Sequence, residues 1–180
     1  EAVVAACNRQ TAMGRRDYAI LLLLARLGLR AGEIVALTLE DVDWRSGVLT
    51  VRGKGSRAAH LPLPVEVGAA LAAYVQDGRP RATSRCVFLR ARAPVQSFQG
   101  PPAVGSVVRH ALARAGIVSP RKGAHQFRHG LACQLLRQGA SLAEIGELLR
   151  HRSPQTTTLY AKVDLAALAP LALAWPGGVQ

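Results

Sequence analysis

The chain has 180 residues, 49% of them hydrophobic and 4% aromatic, so its length and composition predict a folded core of Leu, Ala and Val. Lys and Arg outnumber Asp and Glu by 23 to 11, a formal net charge of +12 that favours nucleic acid as the partner. An Arg-rich and Ala-rich genome is the alternative explanation of this charge. The longest apolar run, residues 19–25, is too short to span a membrane, and three cysteines without a CxxC pair argue against a disulfide framework or zinc knuckle and for a reducing cytosol.

The first half of the chain predicts helices followed by a β-hairpin. Gly28 marks the end of the first apolar helix, and the glycine-rich segment 53–56 is typical of a hairpin tip. The predicted elements are a buried helix over 16–29, a helix over 31–38, a turn over 41–47, strands over 48–52 and 58–63, and a helix over 64–76.

The second half predicts mostly helices. Ser141 is an N-cap candidate because Glu144 follows three residues later, and Gly116 and Gly139 mark breaks. The predicted elements are a polar linker over 77–85, a short third strand over 86–90, an exposed loop over 91–102, and helices over 103–115, 124–138, 141–150, 153–161 and 164–174. The fold class predicted from both halves is mainly α with a small antiparallel β-sheet, that is, α+β.

Several side chains suited to phosphodiester chemistry occur in this order: Arg30, Lys54, His125, Arg128, His151 and Tyr160. His125 and Arg128 share one face of a helix because they lie three residues apart. Each member has a structural explanation when taken alone. Arg30 can pair with Glu33, Lys54 can be a solvated turn residue, and Tyr160 can pack at a helix end.

Taken together, these residue types match the requirements of strand cleavage by a tyrosine. A tyrosine hydroxyl has a pKa near 10, so it needs nearby cations and an imidazole to attack phosphorus at neutral pH. Two arginines can hold the non-bridging oxygens and stabilise the charge that grows in the transition state. A lysine can give a proton to the departing 5′-oxygen. This set requires neither a metal ion nor any other cofactor.

The set resembles the signature of the tyrosine recombinases, also called the phage integrase family, over residues 14–165. The four matching segments are LGLRAGEI with Arg30, VRGKGSRAAHLPL with Lys54, AHQFRHGLACQLL with His125 and Arg128, and LLRHRSPQTTTLYAKV with His151 and Tyr160. The chain departs from the family pattern at two positions. Arg150 replaces the small residue that usually precedes the last histidine, and Gly130 replaces a usual Ser or Thr.

The resemblance implies an enzyme that recombines double-stranded DNA at specific sites, as in integration and excision. Tyr160 would form a 3′-phosphotyrosine, while Arg30 and Arg128 would clamp the phosphate and Lys54 would be the general acid. His125 and His151 would assist proton transfer or hold the phosphate, and Glu33 would orient the site.

The resemblance also implies an organisation. We expect residues 1–180 to be a single catalytic domain, the C-terminal half of a longer integrase whose N-terminal core-binding domain is not in this chain. Self-assembly into a synaptic tetramer on DNA is expected. The protein would be of bacterial or phage origin and would act in the cytoplasm at the nucleoid, away from membranes. The apolar segment 164–175 would be a C-terminal helix that packs on a neighbouring protomer or on its own domain.

Three alternatives remain open at this point. A type IB topoisomerase shares the nucleophile and the cations but rejoins the same strand. A DNA-binding regulator is another possibility because residues 141–160 resemble a helix-turn-helix, although such a protein needs neither Arg30 nor Lys54. Zinc binding by the five histidines is weaker, since their spacing closes no site.

Overall fold

A computed structural model describes residues 1–53, 58–119 and 123–150. The chain divides into two compact units, one from Glu1 to Arg128 and a second that begins at His129. Each unit has its own cluster of buried apolar side chains. The predicted helices over 153–161 and 164–174, like the segment 164–175, lie outside the described residues.

The described elements are mostly helices with one small sheet, which confirms the predicted fold class. The helices are α1 (Ala2–Ala5), α2 (Ala12–Leu27), α3 (Ala31–Ala36), α4 (Val65–Asp77), α5 (Pro101–Arg114), α6 (His125–Arg137) and α7 (Leu142–Leu148). The strands are β1 (Val42–Asp43), β2 (Val48–Arg52) and β3 (Ala58–Pro62), and a 3-10 turn covers Leu39–Asp41. Within the described ranges, no helix is long and apolar enough to cross a membrane.

Helix α2 forms the centre of the first unit. Its start was predicted too late: the helix begins at Ala12, four residues before the expected position, because the Thr11 hydroxyl caps it by accepting a hydrogen bond from the Gly14 N–H at 3.0 Å. The run Leu21–Leu24 is fully buried. The helix ends as predicted at Gly28, which adopts a left-handed conformation with φ 56° and ψ 32°.

The sheet is antiparallel with the order β1-β2-β3. The predicted hairpin is confirmed, since Arg52 pairs with Ala58 on either side of the glycine-rich segment. The prediction of a turn over 41–47 was partly wrong. Val42 and Asp43 form β1 by pairing with Leu49 and Val48.

The third strand predicted over 86–90 is also wrong. Cys86 and Leu89 make only isolated bridges, to Thr38 and Ser97. Burial rather than strand pairing explains the apolar character of the segment, since Val87, Phe88 and Leu89 are fully buried. Side chains satisfy part of its backbone: the Leu89 N–H donates to the Tyr74 hydroxyl at 3.2 Å, and a short apolar run does not distinguish this arrangement from a strand.

The described part of the second unit, from His129 to Arg150, packs most of α6 against α7. Ala132, Ile145 and Leu149 form its buried centre. The predicted cap of α7 is confirmed. The Ser141 hydroxyl accepts from the Glu144 N–H at 3.3 Å, and the Glu144 carboxylate accepts from the Ser141 N–H at 2.7 Å.

Candidate active site

The first unit contains an open pocket of about 150 Å³ that brings together three of the predicted site residues. The end of α2 and the start of α3 supply one wall, and the start of α6 supplies the other. The residues that line it are Leu29, Arg30, Ala31, Ala124, His125 and Arg128.

Arg30 is the N-cap residue of α3 and is held by Glu33. The Arg30 N–H donates to Glu33 Oε2 at 2.7 Å, and its Nη1 donates to Oε1 at 2.9 Å. The Glu33 side chain is 6% exposed and that of Arg30 is 44% exposed. A buried carboxylate therefore holds a guanidinium that is partly exposed to solvent.

Arg128 lies one turn into α6 and is buried, with 4% of its surface exposed. Its Nη1 donates a hydrogen bond at 2.5 Å to the carbonyl oxygen of Gly28, which is 100 residues earlier in the chain. A buried guanidinium requires such acceptors, because an unsatisfied buried charge is costly. The bond places Arg128 beside the end of α2, next to Arg30.

His125 is the first residue of α6 and is exposed. Because His125 and Arg128 are three residues apart, both lie on one side of the helix and line the same pocket. Two guanidinium groups supply planar N–H donors that match phosphate oxygens, and an imidazole can move a proton at neutral pH. The pocket therefore has the chemistry to bind and polarise a phosphodiester.

The other three predicted residues, Lys54, His151 and Tyr160, lie outside the described residues. Among the residues that the structure describes, no group of three or more His, Cys, Asp or Glu side chains is placed to hold a metal ion.

Comparison with known proteins identifies the family of the chain. Residues 1–166 match the model of the phage integrase family. The chain belongs to this family. The resemblance seen in the sequence is thus confirmed.

Two named members show the extent of the similarity. The integrase/recombinase y4rA of Sinorhizobium fredii is 57% identical over 178 residues, which cover 99% of this chain and 43% of that protein. Tyrosine recombinase XerD of Pseudomonas putida is 36% identical over 175 residues, 95% of this chain and 57% of that protein. The chain thus spans about half the length of these curated relatives.

Solved structures share the fold. The XerA recombinase has a TM-score of 0.75 and 25% identity, with 97% of this chain and 63% of that chain covered. The XerH site-specific recombinase, bound to its palindromic difH substrate in a post-cleavage complex, has a TM-score of 0.79 at 19% identity, with 98% of this chain and 51% of that chain covered.

The sequence did not reveal the contact between Gly28 and Arg128. Gly28 was identified only as the end of a helix, and the partner of its carbonyl oxygen is set by the tertiary fold. The local signal, a glycine two residues before Arg30, was visible but did not indicate this partner.

Proposed function

We propose that this chain is the catalytic domain of a site-specific tyrosine recombinase that cleaves and rejoins double-stranded DNA. The observation that supports this most is the pocket lined by Arg30, His125 and Arg128 in a member of the phage integrase family. No described feature favours the regulator, and the topoisomerase differs only in the fate of the cut strand.

In the proposed reaction, the Tyr160 hydroxyl oxygen attacks a backbone phosphorus. A Tyr160–phosphorus bond forms and the bond from phosphorus to the 5′-oxygen breaks, which leaves a 3′-phosphotyrosine. The tyrosine proton passes to a neighbouring base, for which His125 and His151 are the candidates, and Lys54 protonates the departing 5′-oxygen. A 5′-hydroxyl from a second duplex then reverses these steps, so the energy of the broken bond is kept in the intermediate.

Arg30 and Arg128 are proposed to clamp the non-bridging oxygens and to stabilise the charge that develops on them. Removing one such donor typically slows the reaction by about 10²–10³-fold. Glu33 acts through Arg30, whose Nη1 it holds at 2.9 Å. The net charge of +12 supports a polyanionic substrate.

The partner proposed for this chain is duplex DNA. The Tn1549 transposon integrase, a similar structure with a TM-score of 0.68, was solved in complex with transposon right end DNA. We further propose that the protein assembles as a synaptic tetramer, with the segment 164–175 packing on a neighbouring protomer. Because the named relatives are bacterial, the proposed place of action is the nucleoid.

The experiment uses a pool of duplexes with a randomised centre and a nick beside it, so that a cut end diffuses away and the covalent complex accumulates. Wild-type protein should form a complex that survives detergent, and Tyr160→Phe should form none. The recovered duplexes are then mixed with differently labelled partners. Exchange of labelled strands supports a recombinase, whereas relaxation of supercoiled DNA without exchange would support a topoisomerase.

A further inference from the structure

We infer that Gly28 is a positioning residue for Arg128, and through its backbone also for Arg30. This inference rests on the function proposed above, because it concerns the two arginines that are proposed to clamp the phosphate. The atom that positions Arg128 is the main-chain carbonyl oxygen of Gly28.

The Gly28 carbonyl lies at the C-terminal end of the 16-residue helix α2. The last carbonyls of a helix lack donors within the helix and carry a partial negative charge. Arg128 supplies a cationic donor at this end, with its Nη1 at 2.5 Å from the Gly28 oxygen. The contact is thus favourable both as a hydrogen bond and as a charge at a helix terminus.

The surrounding core and hydrogen bonds hold the Gly28 carbonyl oxygen in place. Leu21–Leu24, directly before the end of α2, are fully buried in the core of the first unit. The Gly28 N–H is itself bonded to the Leu23 carbonyl oxygen. Since Arg128 is only 4% exposed, its guanidinium has little contact with water, and the Gly28 carbonyl oxygen is an acceptor that helps to fix the orientation of its planar group.

The same glycine directs the chain into the pocket. Gly28 has φ 56° and ψ 32°, and the next two residues, Leu29 and Arg30, both line the pocket. Only glycine adopts this conformation without strain among common residues, with Asn the best substitute. One backbone conformation therefore determines where Arg30 starts and where the acceptor for Arg128 points.

The test compares two glycines in the same backbone state. Gly116 lies two residues after Arg114, the last residue of α5, with φ 66°, and an added Cβ there meets nothing within 4 Å. Gly28→Ala and Gly116→Ala therefore impose similar backbone strain at a helix end, but only the first displaces the acceptor of Arg128. The rate of covalent complex formation is measured on the duplex recovered above, together with the melting temperature of each variant.

We expect Gly28→Ala to slow cleavage by roughly 100-fold, as a displacement of about 1 Å does in an active site. Gly116→Ala should cleave at the wild-type rate, and Gly28→Asn should regain most of the lost activity because Asn tolerates the left-handed conformation. In an Arg128→Lys background, Gly28→Ala should slow cleavage by a smaller factor than it does in the wild-type protein, because the part of its effect that acts through Arg128 is already lost. Equal losses for both alanine variants, or additive losses in the double variant, would overturn the inference.

A second measurement needs neither DNA nor a folded Gly28→Ala protein. In wild-type protein, the NMR signals of the Arg128 guanidinium, assigned by their loss in Arg128→Lys, should show slow rotation and slow exchange with water. Fast rotation would contradict the hydrogen bond to Gly28. Failure of the proposed function looks different: wild-type protein forms no covalent complex, or Tyr160→Phe still does.

Discussion

The Glu33 carboxylate accepts two hydrogen bonds from Arg30, one from its backbone N–H at 2.7 Å and one from its guanidinium at 2.9 Å. One buried carboxylate therefore caps helix α3 and also orients the Arg30 side chain. The spacing of three residues allows both bonds, because the N-cap residue and the third residue of a helix face each other.

Glu33→Gln removes the negative charge from this clamp while keeping the size of the side chain. We expect the free energy of unfolding to fall by about 1–2 kcal/mol, because a buried charge-assisted hydrogen bond is lost. The rate of covalent complex formation should fall by roughly 10–100-fold, since Arg30 is no longer aimed.

Glu66→Gln is the matched control for Glu33→Gln. Glu66 pairs with Arg26 at 3.0 Å but is 46% exposed. An exposed pair contributes about 0–1 kcal/mol, and this one is not in the pocket, so cleavage should be unchanged. Equal kinetic losses in the two variants would remove the special role of Glu33.

The capping box of α7 predicts a second stability effect. Ser141→Ala should lower the free energy of unfolding of the second unit by about 1 kcal/mol, because the hydroxyl that caps the helix is lost. Chemical denaturation followed by circular dichroism measures this change, and Glu147→Ala, at an exposed position of the same helix, serves as a comparison with a change near zero. A Ser141→Ala protein as stable as the wild type would contradict the cap.

The same box makes part of the stability depend on pH. The hydrogen bond from the Ser141 side chain lowers the pKa of Glu144 below its ordinary value of 4.5. A lowered folded-state pKa means that this contribution is fully present above pH 4.5 and is lost as the pH falls through the folded-state pKa. Acid titration of wild-type protein should therefore show a loss that Glu144→Gln lacks, and identical acid profiles for the two proteins would contradict the assignment.

Arg150 occupies a position that suits glycine. It follows α7 with φ 53°, and its N–H donates to the Glu147 carbonyl oxygen at 2.9 Å. A left-handed conformation costs an L-residue about 1–2 kcal/mol, so Arg150→Gly should stabilise the second unit by roughly 1 kcal/mol. Arg150→Ala also removes the guanidinium but keeps the Cβ, so thermal unfolding should show no comparable gain. If Arg150→Ala stabilised the protein as much as Arg150→Gly, the gain would come from loss of the guanidinium and not from the backbone conformation.

Cys7 should be the least reactive of the three cysteines. Burial raises the pKa of its thiol, although a hydrogen bond from Arg114 partly opposes this effect. A thiol with a raised pKa has less of the reactive thiolate at mildly alkaline pH. Alkylation followed by peptide mass spectrometry should label Cys86 and Cys133, which are half-buried, before Cys7. Faster labelling of Cys7 would contradict its buried position.

Local patterns in the sequence predicted what local interactions determine. Gly28 ends α2 because glycine adopts the left-handed conformation, and Ser141 with Glu144 begins α7 because each caps the other. The hairpin formed by β2 and β3 was predicted for the same reason, since a glycine-rich segment separates two alternating runs.

Features that depend on distant partners were not predictable in this way. The two-residue strand β1 exists only because β2 pairs with it, and residues 87–89 are buried without forming a strand. The bond from Arg128 to Gly28 spans 100 residues. The order of Arg30, His125 and Arg128 along the chain predicted their common pocket only through resemblance to a family, because spacing along the chain sets no distance between separate elements.

The central claim is that Tyr160 is the nucleophile, and peptide mapping of the covalent complex tests it most directly. Trypsin cleaves after Arg152 and Lys162, so the peptide over 153–162 contains Tyr160 and neither of the other two tyrosines, Tyr18 and Tyr74. After nuclease digestion, this peptide should carry a nucleotide through a 3′-phosphate, and Tyr160→Phe should yield no modified peptide. A nucleotide on any other peptide, or one that persists in Tyr160→Phe, would contradict the account.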